Sequence, residues 1–150
     1  MLRESMDVAE ERSFDPDALL EPEGVLRHFF GYPSFRPQQD EAIHALMGGH
    51  DTVVLLPTGG GKSLCFQVPA LTMRCQGYGP TVVISPLIAL MDDQVEALQG
   101  RGIEAEAVHS QKSDASNRDA LERFRLGELD LIYVSPERAV LDGFQSAAEA

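Results

Sequence analysis

The sequence predicts an α/β fold, a parallel sheet with helices on both faces. Three observations predict it. Short apolar runs alternate with longer stretches of helical periodicity along most of the chain. The runs are continuous, as strands become when helices cover both sides of a sheet. A Gly-Gly-Gly-Lys-Ser turn joins the first run to the next helix. Strands that alternate with helices pair in parallel through right-handed crossovers. At 150 residues and 43% apolar content the chain suffices for one domain.

The elements follow in order. The first 24 residues hold eight Asp or Glu against two Arg, half of the net charge of −12. This leader is poor in aromatics and lacks sustained periodicity, so residues 1–22 read as a solvated, flexible tail and 23–150 as the domain. Residues 23–30 form a short amphipathic helix with Val25, Leu26, Phe29 and Phe30 on its apolar side. A turn at Gly31-Tyr32-Pro33-Ser34 follows. Pro37 opens a second helix that runs to about Met47 and stops at Gly48-Gly49. Then come a strand at 52–56, a helix at 62–73, a strand at 81–85 and a helix at 87–99 ended by Gly100. A weaker strand at 104–108, a helix at 114–126 ended by Gly127, a strand at 129–134 and a short helix near 138–144 complete the pattern.

Composition narrows the partners. The net charge is the wrong sign for a simple nucleic-acid binder, and the body remains mildly acidic without the leader. Any contact with DNA must rest on a local groove and on backbone N–H groups. No run of about 18 apolar residues marks a membrane span. The charged start has no apolar core of a secretory leader. Cys65 and Cys75 fall ten residues apart in one predicted helix. That spacing separates them by about 15 Å, beyond the roughly 7 Å reach of a disulfide. They read as free thiols in a reducing, cytoplasmic setting. No His/Cys cluster has metal spacing.

The chemistry concentrates at residues 56–63, Leu-Pro-Thr-Gly-Gly-Gly-Lys-Ser. Three glycines let the backbone curl tightly and aim its N–H groups at phosphate oxygens. The following helix adds the positive end of its dipole. Lys62 supplies a charge for the β- and γ-phosphates, and the Ser63 hydroxyl reaches Mg²⁺. A plain Gly-rich strand-to-helix turn is the alternative. The general phosphate-loop pattern has glycine where this chain has Leu56.

Ligands of such sheets bind beyond the C-terminal ends of the strands. Two segments there share a Ser-Pro pair, Ser85-Pro86 and Ser135-Pro136. Each can simply cap a helix, and a capped N-terminus is also an anion site.

Four blocks together resemble the first motor domain of RecQ-type DNA helicases, members of superfamily 2. Residues 30–43, FGYPSFRPQQDEAI, resemble that family's adenine-recognising motif 0. Residues 55–71, LLPTGGGKSLCFQVPAL, resemble motif I, and 82–98, VVISPLIALMDDQVEAL, motif Ia. Residues 131–138, LIYVSPER, resemble the block around motif Ib. Order and spacing hold from about Phe29 to about Phe144.

The resemblance implies an incomplete RecA-like P-loop domain that binds ATP and Mg²⁺. Gln39 would read the adenine edge with its donor and acceptor. Tyr32 and Arg36 would sandwich the base, although Tyr32 also suits a turn residue packed on the first helix. Thr58, Gly59, Gly60, Gly61, Lys62 and Ser63 would hold the phosphates and, through Ser63, the metal. Ser85, Leu87, Ser135 and Arg138 would meet a DNA backbone, single-stranded or forked, which positions a strand without reading it. The family implies 3′–5′ unwinding in repair and recombination. Its Asp-Glu-Ala-His block does not occur in these 150 residues. Residues 88–93, which end in Asp92-Asp93, could imitate it but read as helix. The sequence therefore predicts a helicase part that is inactive alone. The alternatives are a non-catalytic nucleotide- or DNA-binding remnant and a small P-loop kinase.

Overall fold

The structure, a computed structural model, describes residues 15–56, 61–141 and 144. Among these, three parallel strands form one sheet: β1 (Thr81–Ile84), β2 (Ala105–Val108) and β3 (Leu131–Val134), in the order β1-β3-β2. Thr81 and Ala105 both lie opposite Leu131, and Ile84 and Val108 both lie opposite Val134. The three strands thus end level, and the segments that follow them emerge at one end of the sheet.

The last strand in sequence is the central one. Every residue of β3 is buried, so its apolar run is continuous. Its side chains alternate between two cores. Leu131 and Tyr133 join Ala105 and Ala107 in a cluster with helices α3 (Leu64–Cys75) and α4 (Ile88–Gly100), which contribute Val68, Leu71, Met91, Val95 and Leu98. Ile132 and Val134 join Val108, Ala120 and Phe124 of helix α5 (Asp114–Arg125), and Phe144. The Phe124 and Phe144 rings stack with centroids 5.9 Å apart. Helices therefore cover both faces, and each fully buried aliphatic side chain contributes about 1.5–3 kcal/mol.

Local chemistry sets the boundaries. Ser113 caps α5 by accepting the Ser116 N–H at 3.1 Å, and Arg123 and Arg125 occupy the helix's last turn. Arg123 reaches Glu104 at 2.7 Å and Glu106 at 2.9 Å, and the Glu104 bond first of all raises its pKa. β2 and β3 each start later than their apolar runs suggest. Ahead of the ladder, the Asp130 N–H donates to Glu104 O at 2.7 Å and the Glu104 N–H donates to the Asp130 carboxylate at 3.0 Å. Helix α2 spans Pro37–Met47, with proline in its first turn, as the sequence predicts. A short helix, α6, is Pro136–Ala139, started by Ser135, which caps it through the Arg138 N–H; of the rest of the expected 138–144 helix, Phe144 is helical and residues 142–143 lie outside the described residues.

Two expectations change. Residues 52–56 are extended but form no strand among the described residues. A strand exists only where a neighbour supplies ladder hydrogen bonds, and no described strand pairs with this run. Its side chains still alternate, with Val53 88% and Leu55 90% exposed. At the chain's start, residues 1–14 lie outside the described residues, but part of the expected tail is structured. Pro16–Leu20 is a 3₁₀ turn capped by Asp15, followed by helix α1 (Pro22–Val25) and a π turn, Leu26–Phe30. Leu19 packs against the first core, and the Gln76 amide donates to Leu20 O at 2.9 Å. Gly24 permits this packing, since a Cβ there would lie 1.8 Å from Ala18 O.

Candidate nucleotide and nucleic-acid site

Helix α3 starts where the Gly-rich loop ends. Thr58, Gly59 and Gly60 lie outside the described residues, so the loop is visible from Gly61 onward. Gly61 has φ 75°, where a Cβ is disfavoured. The first backbone bonds of the helix run from Cys65 N–H to Lys62 O at 3.0 Å and from Gln67 N–H to Ser63 O at 2.9 Å. The N–H groups of Lys62 and Ser63 thus have no acceptor among the described residues. Open N–H groups on a three-turn helix carry partial positive charge. Lys62 is exposed, and no ion pair holds it among the described residues. Ser63 does not cap the helix; its hydroxyl oxygen instead accepts from the Gln94 amide at 3.2 Å.

Gln39 is buried against this loop. Its amide donates to Gly61 O at 3.1 Å and its carbonyl accepts the Arg36 N–H at 3.0 Å. It therefore joins the start of α2 to the start of α3. Tyr32 is half-exposed at the mouth of a cleft of about 250 Å³ whose walls include Gly61, Ser63, Gln67, Gln94 and Arg101. The structure brings Tyr32, Gly61 and Ser63 to this one cleft. Arg36 and Gln39 do not line it. The cation in its wall is Arg101, whose guanidinium lies 5.2 Å from the Phe30 ring centroid and donates to Phe29 O at 3.2 Å. Sequence reasoning missed Arg101, because it follows Gly100 where the pattern marks only a helix end.

Ser85 and Ser135 follow β1 and β3 at the same end of the sheet. The Ser85 hydroxyl accepts the Leu87 N–H at 3.2 Å, and the buried Ser135 hydroxyl accepts the Arg138 N–H at 3.4 Å. Both serines thus act as local caps, and the hydroxyl hydrogen of each is what remains for an incoming phosphate. Leu87 is exposed, and Arg138 lies 3.8 Å from the exposed carboxylate of Asp114. His109, next after β2, is 1% exposed. Its Nδ1 accepts the Gln111 N–H at 3.2 Å, so Nε2 carries the proton and donates to Asp92 at 2.9 Å. Asp92 therefore lies on helix α4, held by a histidine, and not at a strand end.

Beneath the cleft, the Gln67 amide donates to the Tyr133 hydroxyl at 3.0 Å. Burial raises the Tyr133 pKa, and that hydrogen bond offsets part of the rise. Cys65 is buried and Cys75 exposed, both as free thiols. Burial raises both pKa values; Asp130 adds to the effect at Cys75, and Arg74 opposes it.

The DEAD/DEAH box helicase family matches residues 36–147, a span that holds the loop, both Ser-Pro segments and all three strands. The chain belongs to this helicase family. Its relatives are RecQ-type. The chain is 46% identical over 120 residues to the ATP-dependent DNA helicase RecQ of Haemophilus influenzae, covering 80% of this chain and 19% of that protein. It is 48% identical over 112 residues to the ATP-dependent helicase SGS1 of Saccharomyces cerevisiae, covering 75% of this chain and 8% of that protein. The RecQ helicase of Bacillus subtilis is 44% identical over 117 residues, 77% of this chain and 19% of that protein. The chain thus spans about a fifth of the bacterial helicases it matches.

Proposed function

We propose that this chain is the nucleotide- and DNA-backbone-holding part of an ATP-dependent DNA helicase of RecQ type. The observation that carries the reading is the Gly61-Lys62-Ser63 end of the loop. It sets open N–H groups, an exposed ammonium and a serine hydroxyl at one helix N-terminus. That donor set fits a triphosphate with its Mg²⁺. Thr58, Gly59, Gly60 and Gly61 would supply backbone N–H groups, Lys62 a charge, and Ser63 a ligand to the metal, which neutralises phosphate charge when bound. The other residues orient and confine. Tyr32 would stack on the base in the cleft, with Arg101 as the cation in its wall. Gln39 clamps Gly61 and would release that bond to read the adenine edge, with Arg36, whose N–H it accepts, as the second group on the base. Ser85, Leu87, Ser135 and Arg138 line the end of the sheet where a strand's phosphates would lie. A single-stranded or forked DNA would then be held by its backbone alone. Arg138 would exchange its exposed Asp114 contact, worth about 0–1 kcal/mol, for a phosphate.

No helix among the described residues is long and apolar enough to cross a membrane. We place the protein's action in the cytoplasm, on DNA under repair or recombination, with unwinding in the 3′–5′ direction.

The test is hydrolysis. A longer protein that contains this chain and an Asp-Glu-Ala-His block should hydrolyse ATP faster when single-stranded DNA is added, and Lys62→Ala should abolish that rise. Residues 1–150 alone should bind ATP in preference to GTP and show no stimulated hydrolysis. DNA-stimulated, Lys62-dependent hydrolysis by residues 1–150 would place the catalytic carboxylate within this chain, with Glu137 and Asp93 the first to replace.

A further inference from the structure

Two clefts meet at one side chain. The first holds Tyr32, Gly61 and Ser63. The second, about 200 Å³, runs beside β1 and is lined by Ile84, Ser85, Leu90 and Tyr133, among others. Gln94 lines both. It sits on α4, whose register is fixed by Met91, Val95 and Leu98, each buried in the first core. Its amide is half-buried and donates to Ser63 Oγ at 3.2 Å, across 31 residues of sequence. The same helix starts immediately after the Ser85–Leu87 turn. Its first-turn bond, Met91 N–H to Leu87 O at 3.0 Å, makes that turn and the helix one rigid unit.

We propose that Gln94 is a positioning residue that couples nucleotide at Ser63 to a DNA backbone at Ser85–Leu87. This rests on the reading of the two sites above. A serine hydroxyl has one hydrogen and two lone pairs and turns freely about its C–O bond. The Gln94 amide occupies one lone pair. That fixes the hydroxyl so that its other lone pair and its hydrogen are set for metal and phosphate. Residues behind a metal ligand commonly orient it in this way. A strand that binds the Ser85–Leu87 turn biases the position of α4, and with it the Gln94 amide and the Ser63 hydroxyl. Coupling of this kind is reciprocal, so nucleotide must raise affinity for the strand by the same factor. Gln67 and Tyr133 form a parallel bridge between the same clefts, but their side chains bond each other and neither the Ser63 hydroxyl nor the Ser85 hydroxyl, so they brace the wall without carrying the signal.

The test measures binding, not turnover. Dissociation constants for a fluorescent, non-hydrolysable ATP analogue with Mg²⁺ are taken on the full-length protein, with and without a saturating oligothymidine. The reverse titration measures the oligonucleotide with and without the analogue. The unmodified protein should show the same coupling factor both ways, roughly five-fold or more as is usual for linked sites. Gln94→Met keeps the side chain's length and removes the donor, and it should bring the factor to about one. Gln94→Glu removes the donor while keeping the shape, and it should do the same. A thermal melt checks each fold, and either folded variant decides the question. Wild-type coupling in a folded variant overturns the proposal. An unmodified protein that binds both ligands with no coupling also overturns it and leaves the reading of the sites intact. Failure to bind the nucleotide at all sinks both.

Discussion

Gly61→Ala tests the geometry of the loop's end most directly. Alanine at φ 75° costs about 1–2 kcal/mol in backbone strain. The new Cβ would also lie 2.2 Å from the Gln39 amide nitrogen, so the side chain must move. Gln39 is buried, so moving it breaks the bonds to Gly61 O and Arg36 N–H without water to replace them. Each such bond is worth about 0.5–1.5 kcal/mol. The variant should therefore lose about 2–5 kcal/mol in urea unfolding, with a fall in Tm of about 2–4 °C for each kcal/mol. Gln39→Ala alone should cost about 1–3 kcal/mol, and it removes the obstruction. The double variant should then cost less than the sum of the two by about 1–3 kcal/mol, because the same two Gln39 bonds are lost only once. Strict additivity, or a Gly61→Ala protein within about 0.5 kcal/mol of the parent, would refute the contact between motif 0 and the loop.

Other outcomes follow from the same geometry. Lys62→Ala should abolish triphosphate binding but shift stability by less than about 0.5 kcal/mol, because its ammonium is exposed and holds no described partner; a large loss in a ligand-free melt would make it structural. Tyr133→Phe strands the buried Gln67 amide and should cost about 1–3 kcal/mol, whereas adding Gln67→Met should recover part of it; no recovery would show that the bond is not the cause. At neutral pH a thiol reagent should modify Cys75 alone, with Cys65 reacting only after unfolding. Desolvation raises the Cys75 pKa, so its thiolate fraction and its reaction rate should rise with pH and keep rising past the ordinary thiol range; equal labelling of both cysteines in the folded protein would refute the burial of Cys65.

Much of this was legible in the sequence, because the signals are local. The continuous apolar run Leu131-Ile132-Tyr133-Val134 needs burial on both sides, and its alternate side chains do enter two cores. Pro37 marks a helix start through its own backbone chemistry. Gly-Lys-Ser before a helix places a charge and a hydroxyl beside open N–H groups by chain connectivity alone. Family membership followed from four such blocks in order, and the match over residues 36–147 covers all but the start of the first.

Tertiary structure decided what depends on a neighbour from far along the chain. Residues 52–56 have a strand's composition, but pairing belongs to two strands, and no described strand pairs with this run. Gln39 faces Gly61 because α2 packs on α3, which no spacing in motif 0 could state. Arg101 reached the cleft beside Tyr32 because α4 ends against Phe30. Gln94 met Ser63 because α4 seats Met91, Val95 and Leu98 in the core and turns the residue between them to the loop. The sequence by itself determined which chemistry is present and on which element it sits. Which groups share a cleft was left to packing, because a side chain's partners are set by burial and hydrogen bonding between elements, not by periodicity within one.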